Sequence, residues 1–209
     1  MREKRKEKRS YRVWKRMTDI GLSTAGLIIL FPLFVVIAIL IKWDDPKGAV
    51  LFKQVRIGKN GKTFFIYKFR TMISNAESML EQLKDKNEVS GAMFKMKKDP
   101  RVTRVGRVLR KTSLDELPQL INVWRGEMSM VGPRPPLPNE VATYTAYEKR
   151  RLSITPGCTG LWQVNGRNSV GFEEMVAMDL TYIQQRSIWM DIKIMFKTFR
   201  VLFGSKDAY

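Results

Sequence analysis

From Ile20 to Ile41 the chain carries no charged residue for 22 positions, IGLSTAGLIILFPLFVVIAILI, with Pro32 near the middle. A helix of that length, at ~1.5 Å per residue, is long enough for a ~30 Å hydrocarbon layer. The run is too long for a signal-peptide core, and no small-residue cleavage site follows it. Pro32 has no N–H to offer and breaks a helix interior. Residues 1–16 hold nine basic residues against Glu3 and Glu7, and Lys42, Lys47, Lys53 and Arg56 follow the run closely. A simple span would export one of these basic flanks, against the retention of positive charge on the cytoplasmic side. The sequence therefore predicts a bent, re-entrant helix pair that dips into the membrane and returns to the same face. An ordinary single span with a tolerated proline is the alternative. No second apolar run is long enough to cross, so the chain is expected to enter the membrane once.

Length and charge set the rest of the frame. At 209 residues the chain has room for one compact domain and an appendage. This gives a basic N-terminus and membrane helix over 1–42 and a soluble domain over 43–209. Lysine and arginine number 38 against 20 acidic residues, a net +18. Natural partners are polyanions: phosphorylated substrates, anionic lipid or nucleic acid. Residues 1–16 read as a juxtamembrane polybasic segment or as a nucleic-acid arm. There is no histidine, so neither a histidine base nor the usual nitrogen-ligated zinc site is available. The single Cys158 excludes an internal disulfide and a cysteine-clustered metal site. Any catalysis falls first to carboxylates.

Local patterns give an α+β reading. Ala49–Ile57 and Thr63–Met72 are rich in Val, Ile, Phe and Tyr, and Asn60-Gly61 between them predicts a hairpin turn. Ser74 and Glu77 read as a capping box opening a helix toward Met79, Leu80 and Leu83. Residues 84–101 carry no clear periodicity. Arg101–Arg110 is basic and amphipathic, Leu114–Trp124 is apolar-periodic, and Gly132–Pro136 is irregular. Near the end, Ile192, Phe196, Phe199 and Phe203 share one helical face, opposite Lys193, Lys197 and Arg200. Such a helix suits the headgroup plane, and a core-facing helix explains the pattern as well.

The stretch from Arg110 to Pro118, RKTSLDELP, places Asp115 and Glu116 just after Ser113. One reading is structural: Ser113 and Glu116 form a capping box, and acidic residues in a first turn complement the helix dipole. The other is chemical: a carboxylate at a helix start could attack a phosphorus atom whose charge is neutralised locally, with Arg110, Lys111 and Arg134 binding the phosphate.

Six strings then occur in one order: the basic start with its proline-broken apolar helix, Gln54–Gly58, Tyr67–Met72, Leu114–Gln119, Met130–Pro135, and Thr155–Gly160 continuing to Gln163–Arg167. In this order they closely resemble the monotopic phosphoglycosyl transferases, bacterial sugar transferases that start capsule, exopolysaccharide and glycoprotein-glycan assembly. The resemblance covers nearly the whole chain and matches the minimal catalytic form of that family. It implies transfer of a sugar 1-phosphate from a UDP-sugar to polyprenyl (undecaprenyl) phosphate, with release of UMP. Asp115 would be the nucleophile, forming an aspartyl phospho-sugar, with Glu116 its partner in the family's Asp-Glu dyad.

The same resemblance implies Mg2+, with Asp115 as its protein ligand. Substrate phosphates would meet Arg134, Arg110, Lys68, Arg70 and Arg56, and Gln163 and Arg167 would also contact substrate. The membrane helix would break at Phe31-Pro32 and re-enter the cytoplasmic face of the bacterial plasma membrane, held by anionic lipid. No nucleic-acid partner is expected, and the oligomeric state stays open between monomer and homodimer. Cys158 falls where relatives often carry an aliphatic residue, which implies packing. Two rivals make different predictions: direct attack by an activated acceptor needs no adduct on Asp115, and a basic membrane-tethered adaptor releases no UMP.

Overall fold

A computed structural model describes residues 9–79, 96, 99–166 and 170–204. The first helix, α1, spans Arg9–Ile29, and α2 spans Phe31–Asp44. They meet at Leu30 with a bend of 59°. The break thus falls one residue before Phe31-Pro32. Without an N–H, Pro32 cannot bond the carbonyl four residues back, and its ring crowds that carbonyl, so the chain turns within the preceding turn. Pro32 then occupies the first turn of α2, where a missing N–H is harmless. No single helix among the described residues is long and apolar enough to cross a membrane; only the bent pair reaches that length.

The helix pair is apolar outside, and α1 is polar on its inner side. Val13, Trp14, Met17, Ile28, Ile29, Phe31, Ile39 and Trp43 are exposed, Trp43 by 82%. On the other side of α1, Asp19 and Ser23 are buried. Asp19 Oδ1 accepts from Ser129 Oγ at 3.0 Å and from the Met130 amide at 2.9 Å. Lys15 Nζ lies 2.8 Å from Asp191 Oδ2, which also accepts from Tyr11. Arg16 donates to the carbonyls of Val123 and Trp124, each at 2.7 Å. These are the end carbonyls of a helix closed by Gly126 at φ 83°. Two of the cations assigned to the lipid-binding segment are therefore committed to the protein itself. Arg2 to Lys8 lie outside the described residues.

The hairpin forms as its turn chemistry predicts. β1 (Leu51–Ile57) pairs antiparallel with β2 (Thr63–Phe69), from Leu51 opposite Phe69 to Ile57 opposite Thr63. Asn60 and Gly61 both adopt positive φ within a five-residue connection, Gly58–Lys62, that holds a 3-10 turn and is closed by the Gly58 amide on Lys62 O. The predicted helix from Ser74 is not seen in its described part, where residues 74–79 form turns. Instead of capping a helix, the Ser74 amide donates to Asp45 Oδ2 at 2.8 Å. The remainder of that segment lies outside the described residues.

α3 (Arg104–Thr112) starts at Thr103, whose hydroxyl accepts from the Gly106 amide, and Asp44 from the end of α2 accepts from the Val105 amide at 2.8 Å. A 3-10 turn, Leu114–Glu116, leads to α4, Gln119–Arg125. The apolar-periodic stretch from Leu114 thus splits in two around Leu117-Pro118. Ser113 does not cap a helix start: at φ 56° it is the left-handed C-cap of α3, and its side chain makes no cap hydrogen bond to the turn that follows. This reversal ends α3 and starts the 3-10 turn at the point where a capping box would have opened a single helix.

The chain continues through β3 (Ser129–Val131), α5 (Pro138–Ala142), β4 (Gly157–Thr159), α6 (Leu161–Asn165), α7 (Phe172–Gln185) and α8 (Ile188–Gly204). β3 and β4 pair in parallel. Three apolar clusters fill the interior. Ile37 and Ile41 of α2 join Phe69 and Leu109, Ile66 joins Val123 and Met128, and Val131 joins Tyr182 and Ile194. Cys158 packs on the second cluster, where burial raises its thiol pKa. On α8, Asp191 and Ile194 face inward while Trp189, Ile192, Phe196 and Phe199 are exposed. The described aromatic face therefore is not the core-facing one. Helices joined by a small hairpin and a two-strand parallel pair make the α+β fold predicted from sequence.

Candidate active site

The Asp115-Glu116 pair lies on the short turn between α3 and α4. Its flanking residues, Leu114 and Leu117, pack into the cluster of Ile37, Ile41 and Phe69. The apolar side of the turn is thereby fastened to α2, and the intervening carboxylates meet the hairpin. Asn122, fully buried in α4, completes the attachment: its Nδ2 donates to the Phe65 carbonyl at 2.7 Å and its Oδ1 accepts from the Tyr67 amide at 3.0 Å. One side chain thus serves the edge of β2 as a neighbouring strand would.

Lys68, the next residue in β2, places its ammonium 2.6 Å from Glu116 Oε1. Nearly half of the Glu116 side-chain surface meets solvent (47%). Partial desolvation pushes its pKa upward, but Lys68, Arg134 and a hydrogen bond from Gln119 outweigh it and hold Glu116 below the ordinary carboxylate value. Asp115 behaves oppositely. Burial pushes it up to about 6, helped by the charge of Glu116 and opposed by Lys68 and Arg110. Two adjacent carboxylates are thereby driven apart in acidity, one fixed as an anion by its lysine and one poised near neutrality.

Arg134 reaches this pair from a loop pinned at nearly every residue but itself. The Gly132 amide donates to Thr159 O at 2.8 Å, Pro133 O accepts from the Gly157 amide at 2.9 Å, and Pro136 O accepts from the Ile57 amide at 2.9 Å. Pro135 O accepts from Arg56 Nη1 at 3.1 Å. Pro133 and Pro135 are buried, and Arg134 between them is exposed. A Cβ at Gly157 would strike the Gly132 amide nitrogen, so the β3–β4 approach that anchors this loop requires glycine there.

The remaining predicted residues differ in placement. Arg56 is 6% exposed and uses Nε and Nη2 on Gln54 Oε1 as well as Nη1 on Pro135. Burial and the neighbouring Arg134 charge lower its pKa to about 10. It is built as a strut beneath Arg134. Arg110 is exposed at the end of α3 and donates Nε to Thr71 Oγ1 at 2.9 Å. Arg70 turns its Nε to the Ala49 carbonyl at 2.8 Å, at the open end of the hairpin.

Gln163 lies on α6, its Oε1 buried without a hydrogen-bond partner. A Cβ at Gly160 would meet both that oxygen and the Gly132 carbonyl, so α6 abuts the root of the Arg134 loop. Arg167 lies outside the described residues. Among the described residues no three histidine, cysteine or acidic side chains form a metal-holding group. Gln119 and Asn122 were missed from sequence, because polar residues inside an apolar-periodic stretch read as a solvent face.

A sequence model described as bacterial sugar transferase matches residues 10–205. The chain is 45% identical over 196 residues to the galactosyl transferase CpsE of Streptococcus agalactiae, covering 93% of this chain and 43% of that one. It is 43% identical over 206 residues to the undecaprenyl-phosphate galactose phosphotransferase of Salmonella typhimurium, covering 97% and 43%. It is 44% identical over 199 residues to the exopolysaccharide production protein ExoY of Rhizobium meliloti, covering 93% and 88%. The chain therefore spans less than half the length of the first two relatives and most of the third.

Proposed function

The chain belongs to the bacterial sugar transferase family, and from that premise we propose that it transfers a sugar 1-phosphate from a UDP-sugar to polyprenyl phosphate. The observation that carries this reading is the split pair: Asp115 poised near pH 6 beside Glu116 held anionic by Lys68. Relatives named as undecaprenyl-phosphate galactose and glucose phosphotransferases support the substrate classes.

In the proposed sequence an Asp115 carboxylate oxygen attacks the sugar-bearing β-phosphorus. The bond from that phosphorus to the bridging oxygen breaks, and the oxygen leaves with UMP. An oxygen of polyprenyl phosphate next attacks the same phosphorus, breaking its bond to Asp115 and giving polyprenyl diphosphate sugar and the free carboxylate. Arg134 and Arg110 stabilise phosphate charge, while the Lys68–Glu116 pair sets the field in which Asp115 acts. The Asp115-Glu116 carboxylate pair suits Mg2+, a hard cation that binds through one or two protein carboxylates together with substrate phosphate. Asp115 would hold the ion, which when bound disperses charge on the diphosphate.

Helix lengths support the re-entrant membrane placement in this reading. α2 has 14 residues, ~21 Å of helix, short of a ~30 Å hydrocarbon layer. With the 59° bend, that length suits entry into one leaflet and return to the same face. The catalytic turn, packed on α2, then lies at headgroup depth on the cytoplasmic side of the plasma membrane. A panel of UDP-sugars, assayed for UMP release and for a phospho-sugar adduct by intact-mass spectrometry, tests the reading. Turnover with an adduct lost in Asp115→Asn is expected; full turnover by that variant would exclude the covalent route.

A further inference from the structure

Beside the catalytic turn, on its α2 side, lies an open cavity of about 230 Å3. Phe34, Val35 and Ala38 from α2, Phe69 from β2, and Pro118 and Ile121 form its wall, and its exposed lining is entirely apolar. Two of these residues adjoin the site along the chain: Phe69 follows Lys68, and Pro118 stands two residues beyond Glu116. At the other end, Val35 is 43% exposed on the outer surface of the helix pair. The groove thus opens on the apolar exterior and is walled by the two segments, β2 and the start of α4, that flank the charged site.

A cavity of this lining stays dry or holds hydrocarbon. A sugar nucleotide is excluded, because it would bury hydroxyls and phosphates with nothing to bond them. The occupant must carry an anionic group close to Lys68, Arg110 and Arg134 and hydrocarbon immediately behind it. A phospholipid fits poorly, since polar glycerol esters separate its phosphate from its chains. In a prenyl phosphate the hydrocarbon starts at the phosphate oxygen itself. The volume, below the ~300–1,000 Å3 of clefts that enclose whole drug-sized ligands, suits a short stretch of chain.

We propose that this groove receives the phosphate-proximal isoprene units of the polyprenyl phosphate acceptor and so aims its phosphate at Asp115. This rests on the proposed transfer reaction. Moving hydrocarbon out of lipid into protein brings little hydrophobic gain, so the groove acts through packing contact and orientation.

The test uses a short prenyl phosphate carrying a diazirine within its first three isoprene units, with the full chain in phosphatidylglycerol-containing nanodiscs and no donor. Photolabel is expected on residues 34–38 and 118–121, falling at least fivefold with excess unlabelled polyprenyl phosphate and in Ala38→Phe. Label concentrated on Ile28, Ile29 and Trp43, or displaced equally by added phosphatidylglycerol, overturns the proposal. Val35→Trp, at the exposed rim, gives a second measurement: the acceptor KM is expected to rise about fivefold relative to the donor KM. An unchanged ratio overturns the proposal even if Ala38→Phe fails to fold. Absence of any donor adduct in the unsubstituted protein counts against the transfer reaction instead, because labelling needs no donor.

Discussion

The Lys68 ammonium stands 2.6 Å from Glu116 Oε1, and this contact joins the end of the hairpin to the turn that carries Asp115. It gives neighbouring carboxylates different roles: the ammonium is taken up by one, while burial governs the other.

Asp115 attacks phosphorus only as the anion, and burial raises its pKa to about 6. Donor kcat/KM is therefore expected to climb through pH 6 and level off above pH 7. Initial-rate UMP release between pH 5 and 8 measures this; a flat profile contradicts it.

The same shift has a stability consequence. The folded pKa of about 6 exceeds the ~3.9 of an unfolded aspartate, so the folded state binds the extra proton between those values. That stabilisation is complete below pH ~4 and is lost as pH rises through ~6. Asp115→Asn should accordingly be more stable than the parent at pH 8, by roughly 1–2 kcal/mol after allowing for partial exposure, with the gap closing toward pH 4. Denaturant titrations at both pH values decide it.

Lys68 lowers the pKa of both carboxylates. Lys68→Met should move the acid limb of the rate profile to higher pH by about one unit, and Lys68→Arg should restore most of the shift. A profile displaced to lower pH would contradict this.

Arg56 bonds Gln54 and the Pro135 carbonyl from a buried position. Arg56→Met leaves those acceptors unpaired and should cost about 3 kcal/mol in thermal or chemical unfolding. In the folded fraction the donor KM should rise, because the Arg134 loop loses a support.

Trp189, Phe196 and Phe199 project from α8 into solvent, with Lys193 over the Trp189 ring and Arg200 over Phe196. Replacing all three aromatics by serine should weaken binding to anionic vesicles by roughly tenfold, read by cosedimentation. Raising salt should weaken both proteins further, through the basic residues that remain.

Local chemistry was legible in the sequence wherever it alone decides the backbone. Asn60-Gly61 specified the hairpin turn, Pro32 placed the bend to within two residues, and the Gly132–Pro136 run specified irregular chain. The six ordered strings pointed to the family, and Asp115, Glu116, Lys68, Arg110 and Arg134 do gather around one turn. The Ser113 reading went astray because serine suits a cap by composition, whereas the fold needed a left-handed residue to end α3.

Tertiary structure alone decided what each charge does. Lys15 and Tyr11 find Asp191 across 176 and 180 residues, and Arg16 closes the end of α4. In sequence these residues belong to a basic stretch with no visible partners. Whether a cation meets lipid, substrate or a carboxylate depends on what burial brings within ~4 Å of it, and the order of residues along the chain carries no such distances.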